Sequence, residues 1–531
     1  MQKDKSKFKI LIIPAIFFGI FCFAKSSFAA TYYVDFSGGN DSNSGLSTGS
    51  PWAHAPGDTN GPTRTIAAGG SIIFKGGVVY HGTITVSSAN YSNGVAGNLI
   101  TLKSGDLLAT PWGSGRTVIE GDNARALGIH LWGRSYIRVE GFEIRNMANL
   151  TNSSGILIDG NIAHNEEIVD NLIHDINGAP GPSGYGIEIT GDEVQAYDLV
   201  EKNTVYHTEE KAIEAYNQGY SIFRYNNLYE TSDHNMVISS PDNEIYDNLF
   251  SKAGFDWGNG EAFQPSFCFK FDSGLTVFAD DNKFYNNLLW NCISGIGVLN
   301  GDGNEIYQNT VYYSGWLDPS NGGVSGSNFV LIDDGSAGTN KPDLNIISNN
   351  IFYYGIQFSG SMCNGSPCYQ GIAFNSGIGN NNIIENNIIY WNAAHTSSLF
   401  YYKSTVSEWH DLAWFEGLSG FSSVGTGNIA RNNIIADPML KGGTGSALIN
   451  SSEIPTGFDN NIRPNGNAFA LTSSSTNVID KGLALQPPYN TDIEGNSRPQ
   501  GAGSDIGAYE YVGTPPPDTT PPSAPTGIQV N

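Results

Sequence analysis

Apolar and polar residues alternate in short runs along this chain, and no long stretch keeps a helical period. The clearest block runs from Ile168 to Gly274. Four segments there open with Asn followed by an apolar or β-branched pair: DNLIHD (Asn171), KNTVYH (Asn203), NNLYET (Asn227) and DNLFSK (Asn248). Each leads into a short apolar-x-apolar strand, namely GIEITG, AIEAYN, MVISS and FKFDS. The Asn series continues through 287, 309, 350, 387 and 433, with spacings of 32, 24, 21, 39, 22, 41, 37 and 46 residues. The short spacings mark one turn, and the longer ones are the same turn with a loop inserted. A recurring unit of short strands without helices predicts a solenoid.

One such turn cannot bury its apolar side alone. Stacking places like residues over one another at the ~4.8 Å strand spacing and pairs each backbone with the turns above and below. Asn suits the bends, where its amide can bond to the next Asn and its backbone tolerates the left-handed region. The pattern therefore predicts an all-β, right-handed parallel β-helix, the hand following from the crossover rule. Residues 136–436 read as repeats, 30–135 as an N-terminal cap with the first coils, and 437–512 as a C-terminal cap. The tail 513–531 is Pro/Thr-rich, and its ending is similar to the first strand of a fibronectin type III module cut short.

Residues 1–29 have a different pattern. Lys3, Lys5, Lys7 and Lys9 precede an apolar run from Ile10 to Phe23, and Ser27-Phe28-Ala29 offers small residues for cleavage. This reads as a signal peptide, so the expected location is secreted or cell-surface. Removing its five Lys and one Asp takes the net charge from −25 to −29. That excess argues against nucleic acid or an anionic membrane as partner. Aromatics at 12% and 65 Gly suit a β-rich secreted protein that handles carbohydrate, and a monomer is expected. Of the four remaining Cys, Cys363 and Cys368 close a short CNGSPC loop and are expected to form a disulfide. Cys268 and Cys292 fall in neighbouring turns, where a bridge and two buried thiols are equally consistent.

Chemistry follows from vertical register. If apolar residues such as Ile187, Ile213, Met236 and Phe269 point inward, their neighbours point out. The first outward column then reads Leu157, Glu188, Glu214, Val237, Lys270, Val298 and Leu331. The second includes Asp159, Thr190, Tyr216, Ser239 and Asp272. Glu188 and Glu214 would lie about 5 Å apart, and Lys270 roughly 10 Å beyond Glu214. His207, Glu209 and Asp233 crowd the turns leading to these strands. Trp257 and Trp316 sit in long loops that could offer aromatic faces to sugar, with Tyr216 and Asp272 as further substrate contacts. Two chemistries suit the set. One is β-elimination from an acidic polysaccharide, with Lys270 as base, His207 nearby, and Ca²⁺ on Glu209, Asp233 and Glu214. The other is glycoside hydrolysis by Glu188 and Glu214. A non-catalytic, carbohydrate-binding solenoid is the third reading.

Three resemblances bear on this choice. TYYVDFSGGNDSNSG followed by Pro-Trp is similar to the opening segment of secreted parallel β-helix proteins. TDIEGNSRPQGAGSDIGAYEY resembles a C-terminal segment carried by many exported ones. The order of an acidic turn, Ser-Asp at 232–233, and a Phe-Lys-x-x-Gly strand one coil later resembles calcium-dependent pectate lyases of polysaccharide lyase family nine. The resemblance spans about residues 207–274. It implies Asp233 and Glu209 as calcium ligands and Lys270 as the base, with a lyase as the favoured activity. His234, Val237 and Cys268 depart from the family's pattern.

Overall fold

The computed structural model describes residues 29–148, 150–160, 163–178, 183–191, 195–254, 266–272, 278–290, 292–312, 330–332, 341–353, 372–374, 379–390, 400–403, 407–417, 425–436, 438–440 and 469–513. Each coil gives one short strand to each of three long sheets. Among the described residues these hold 13, 12 and 12 strands, and neighbouring strands in a sheet come from successive coils. One coil shows the plan. Leu199–Glu201 lies in the first sheet, Thr204–Thr208 in the third and Ile213–Tyr216 in the second, before Ile222–Arg224 returns to the first. Pairing is parallel except for a terminal hairpin, where Phe400–Lys403 meets Ser407–His410 antiparallel.

The core is a stack of like on like. Ile156, Ile187, Ile213, Met236, Phe269 and Ile296 pair in direct register, and all are fully buried. Phe269 stacks on Phe284 at 4.0 Å between ring centroids, and Phe250 and Phe271 pack edge-on around them. A buried aromatic removes far more apolar area from water than a methyl group, so this layer anchors the middle of the solenoid. Cys268 and Cys292 form a disulfide between adjacent coils, with Cα atoms 5.6 Å apart. The structure thus selects the bridge over the two free thiols. Cys363 and Cys368 lie outside the described residues.

The Asn ladder exists, with one register corrected. It runs 171, 203, 226, 248, 287, 309, 350, 387, 433, each Asn donating its backbone N–H and side-chain amide to the Oδ1 of the next. The third member is Asn226, whereas Asn227 is the first residue of the following strand and lies beside Leu249. The left-handed backbone also belongs to a different position from the one expected. The residue before each ladder Asn adopts it: Asp170, Lys202, Tyr225, Asp247, Asn286 and Gln308 have φ of 53–59°. The ladder Asn is there for its amide, and its predecessor makes the bend. Glu416 ends the series by accepting the Asn433 N–H at 2.6 Å and its amide at 3.0 Å.

A second ladder, not expected from sequence, runs through Asn243, Asn282, Asn304, Asn345, Asn382 and Asn428 at the opposite bend. It continues toward the N-terminus as Ser221, Asp198 and Glu166. There two buried carboxyls stand in for amides. Burial raises both above the ordinary carboxylate range, and each carboxyl's neighbour modifies that rise.

The coil's C-terminal end is closed by the short helix Leu412–Glu416, whose Phe415 is fully buried and stacks near Phe374 at 5.8 Å. The segment 469–513, expected to close the end, lies along the outer face of the third sheet. Phe469, Val478, Ile493, Ile506 and Tyr509 pack there on Leu288, Trp290, Tyr312, Ile351 and Tyr353. Those outward side chains are large and apolar, and this segment covers them. Buried Arg498 holds the cover in shape, bonding Glu510 at 3.2 Å and the carbonyls of Asp505 and Gly507.

Candidate functional site

The second sheet carries the expected wall of outward side chains. Leu157, Glu188, Glu214, Val237 and Lys270 are direct register neighbours on five successive strands. The next position is Gly297, and Val298 points inward opposite Phe271, fully buried. The outward position on this strand thus falls on a residue with no side chain, and the column continues in register at Leu331, as expected. In the second column Thr190, Tyr216 and Ser239 align as expected.

Glu188 and Glu214 are adjacent, so about one strand spacing, ~4.8 Å, separates their backbones. Their surroundings differ. Glu188 is half-buried and accepts a hydrogen bond from the Ser154 hydroxyl. Burial pushes its carboxyl up to about 7, with Glu214 and Asp159 adding to the rise and Ser154 and Lys211 opposing it. Near neutral pH it holds a proton much of the time. Glu214 faces Lys211, whose ammonium lies 3.6 Å from Glu214 Oε1 and 3.1 Å from Glu210. Lys211 also stands over the Tyr185 ring, 5.0 Å from its centroid. Burial disfavours the Lys211 charge, but Glu214, Tyr185, Asp233 and Glu210 outweigh it, and the group is held well above the ordinary lysine range.

Asp233 lies at the back of the same cluster. Burial raises it to about 6, Glu210 adds to the rise, and Lys211, Lys270 and the Ser266 hydroxyl pull it down. His234 beside it is neutral: burial and the two lysines drive its pKa well down, and its Nδ1 accepts the Phe267 N–H at 2.9 Å. Lys270 is engaged by Asp272 at 2.6 Å.

Two expected members fall elsewhere. His207 lies on the third sheet, between Asp175 at 2.9 Å and Glu230 at 3.2 Å. Burial disfavours its charge, but the two carboxylates prevail and lift it to about 9. It joins a column of left-handed residues, Asp175, His207, Glu230 and Lys252, whose charges alternate from coil to coil. Glu209 is buried and accepts the Gly178 N–H at 2.9 Å, while the neighbouring Glu210 faces Lys211 and Asp233. Trp257 and Trp316 lie outside the described residues.

The donor set expected for Ca²⁺ does not fit. Ca²⁺ takes six to eight converging oxygens. Here Glu209 is committed to a backbone amide, and Asp233 has two lysines acting on it. No group of three or more His, Cys, Asp or Glu side chains is arranged to hold a metal ion among the described residues. Sequence reading passed over Tyr185 and gave Lys211 no role. Lys211 is the one lysine in the acidic turn HTEEKA, and its sign beside Glu209 and Glu210 could have singled it out.

A family model for the right-handed β-helix region matches residues 127–311, which include every strand of this wall. No curated protein matches the chain. Several solved structures are similar, three of them as follows. A lacto-N-biosidase of glycoside hydrolase family 136 from Eubacterium ramulus is 14% identical, with 76% of this chain and 68% of that one covered and a TM-score of 0.51. The complex of XylC with xylose is 12% identical, with 90% and 98% covered and a TM-score of 0.51. Pectate lyase Pel9A is 16% identical, with 91% and 97% covered and a TM-score of 0.49. At such identities the likeness shows the fold alone: this chain is a right-handed parallel β-helix.

Proposed function

We propose that this protein is an exported glycoside hydrolase in which Glu188 is the general acid and Glu214 the nucleophile. The observation that carries this reading is the pairing of a carboxyl raised to about 7 with a second carboxylate on the adjacent strand. Two neighbouring titratable groups pushed apart by their surroundings are what acid-assisted departure of a sugar requires. Glu188 gives its proton to the glycosidic oxygen as the C–O bond breaks. Glu214 attacks the anomeric carbon, and its Lys211 partner balances its charge before the attack. Glu188, now a carboxylate, takes a proton from water as that water displaces Glu214. The retaining course needs the two carboxyl groups only about 5 Å apart, a separation within reach of side chains on adjacent strands.

The local charge favours an uncharged glycan. Asp159, Glu210, Glu214, Asp233 and Asp272 outnumber Lys211 and Lys270, so a polyanionic chain would meet repulsion. Two carbohydrate-linked proteins among the fold neighbours are consistent with this reading and do not decide it. β-Elimination with Lys270 as base is the second reading. It is favoured by the position of Lys270 on the same outward column as Glu188 and Glu214, and opposed by the tie of that nitrogen to Asp272.

The test is a panel of neutral and acidic polysaccharides, with reducing ends and ultraviolet absorbance followed together. New reducing ends without absorbance, unaffected by chelator and lost in Glu214→Gln, are expected. Absorbance from unsaturated products, lost in Lys270→Ala, would establish the lyase instead.

A further inference from the structure

The wall does not stop at Glu188. Two strands further along the second sheet, Leu127–Trp132 carries Trp132, which is 58% exposed and is the one Trp among the exposed large hydrophobic side chains of the described residues. A large aromatic left open on an otherwise polar wall is unfavourable unless something covers it. Its surroundings are organised. Trp132 is the register neighbour of Asp159. His130 lies nearly parallel to the Trp132 ring, at 12° and 6.1 Å between centroids, and its Nε2 meets Asp159 Oδ1 at 2.8 Å. Asp159 is close enough to act on the charge of Glu188. Gly160, left-handed at φ 94°, leaves this corner room: a Cβ there would come within 3.2 Å of Trp132 Cδ1 and 2.9 Å of the Gly133 nitrogen.

We infer that Trp132, with His130 and Asp159, forms a sugar-binding subsite that holds an uncharged pyranose unit of the same glycan chain cleaved at Glu188. The inference rests on the reading of Glu188 and Glu214 as the cleavage pair. The strand order places the subsite two strand spacings, roughly 10 Å, from Glu188 along the coil axis, so the bound chain runs across the strands. An exposed indole offers a flat apolar face to the C–H face of a sugar. The imidazole and carboxylate beside it supply hydrogen-bond donors and acceptors for hydroxyls. A long glycan would span both places, and a short one would not.

The experiment uses the full chain carrying Glu188→Gln, so that glycans are bound but not cleaved, with affinity electrophoresis in gels containing each neutral polysaccharide of the panel. Retardation by at least one is expected, weakened roughly tenfold when Trp132→Ala is added and retained in Trp132→Phe. The thermal midpoint should not move, because the ring is at the surface. In the active protein, Trp132→Ala should lower kcat/KM on long chains far more than on the shortest cleaved oligomer. Equal retardation with and without Trp132, or no retardation by any of the polysaccharides, would overturn the subsite. Trp132-dependent retardation in a protein whose Glu188→Gln form still cleaves would leave the subsite standing and remove Glu188 as the acid.

Discussion

Glu188→Gln is expected to lower kcat on the cleaved glycan by about 10²–10⁴-fold, the range that a positioned general acid contributes. The amide keeps the shape and can still accept the Ser154 hydroxyl bond, so the fold should be unaltered. What is lost is the proton for the departing oxygen. The loss should shrink on an aryl glycoside whose leaving group needs no proton. The pH profile of the wild-type protein gives the sign. Glu188 is protonated below about 7 and loses its proton above it, so kcat/KM should fall as pH rises through that value. The same group affects stability in the same direction: a raised carboxyl favours the folded state at low pH, and that contribution is lost as pH climbs through about 7. A Gln variant with the wild-type rate would remove Glu188 from the chemistry.

Asn248→Ala is expected to cost roughly 3–6 kcal/mol of folding stability, from several buried groups left unpaired at once. The side chain accepts the Asn226 N–H and side-chain amide, both at 3.0 Å. It donates to the carbonyls of Phe223 and Tyr246 and to Asn287 Oδ1. All three Asn residues are buried, so water cannot replace these partners readily. Asn227→Leu is the control. Its register neighbour is Leu249, so the change copies the next coil, and it should be neutral or mildly stabilising. Urea unfolding followed by circular dichroism separates the two. Equal damage from both would show that the ladder is not the specific source of stability.

The comparison of Asn226 with Asn227 shows how far the sequence could be read. The repeat was legible because a solenoid needs the same amide at every bend. The adjacent pair was ambiguous because either Asn precedes an apolar residue, and only stacking on Asn203 and Asn248 selects one. The column from Glu188 to Lys270 was legible because a two-residue period fixes which side chains point outward. It slipped by one residue at Gly297, where the outward position has no side chain to give a signal, and was in register again at Leu331. The turns were least legible. In HTEEKA the backbone leaves regular structure, so periodicity could not say that Glu209 would hold the Gly178 amide while Glu210 and Lys211 faced the site. His207 was misplaced for the same reason, since a left-handed residue at the strand's end breaks the alternation on which facing depends. Trp132 was passed over because its strand lies before the part of the repeat where the Asn spacing becomes regular.

The account stands on a Glu188 carboxyl held protonated beside Glu214 by its surroundings, and titrating Glu188 itself tests this without any substrate. Carboxyl ¹³C chemical shifts of selectively labelled protein, assigned by comparison with Glu188→Gln, should give a midpoint of about 7. That midpoint should fall in Glu214→Gln, where the neighbouring negative charge is gone. A midpoint in the ordinary carboxylate range, about 4.3, unchanged by Glu214→Gln, would contradict the proposed acid.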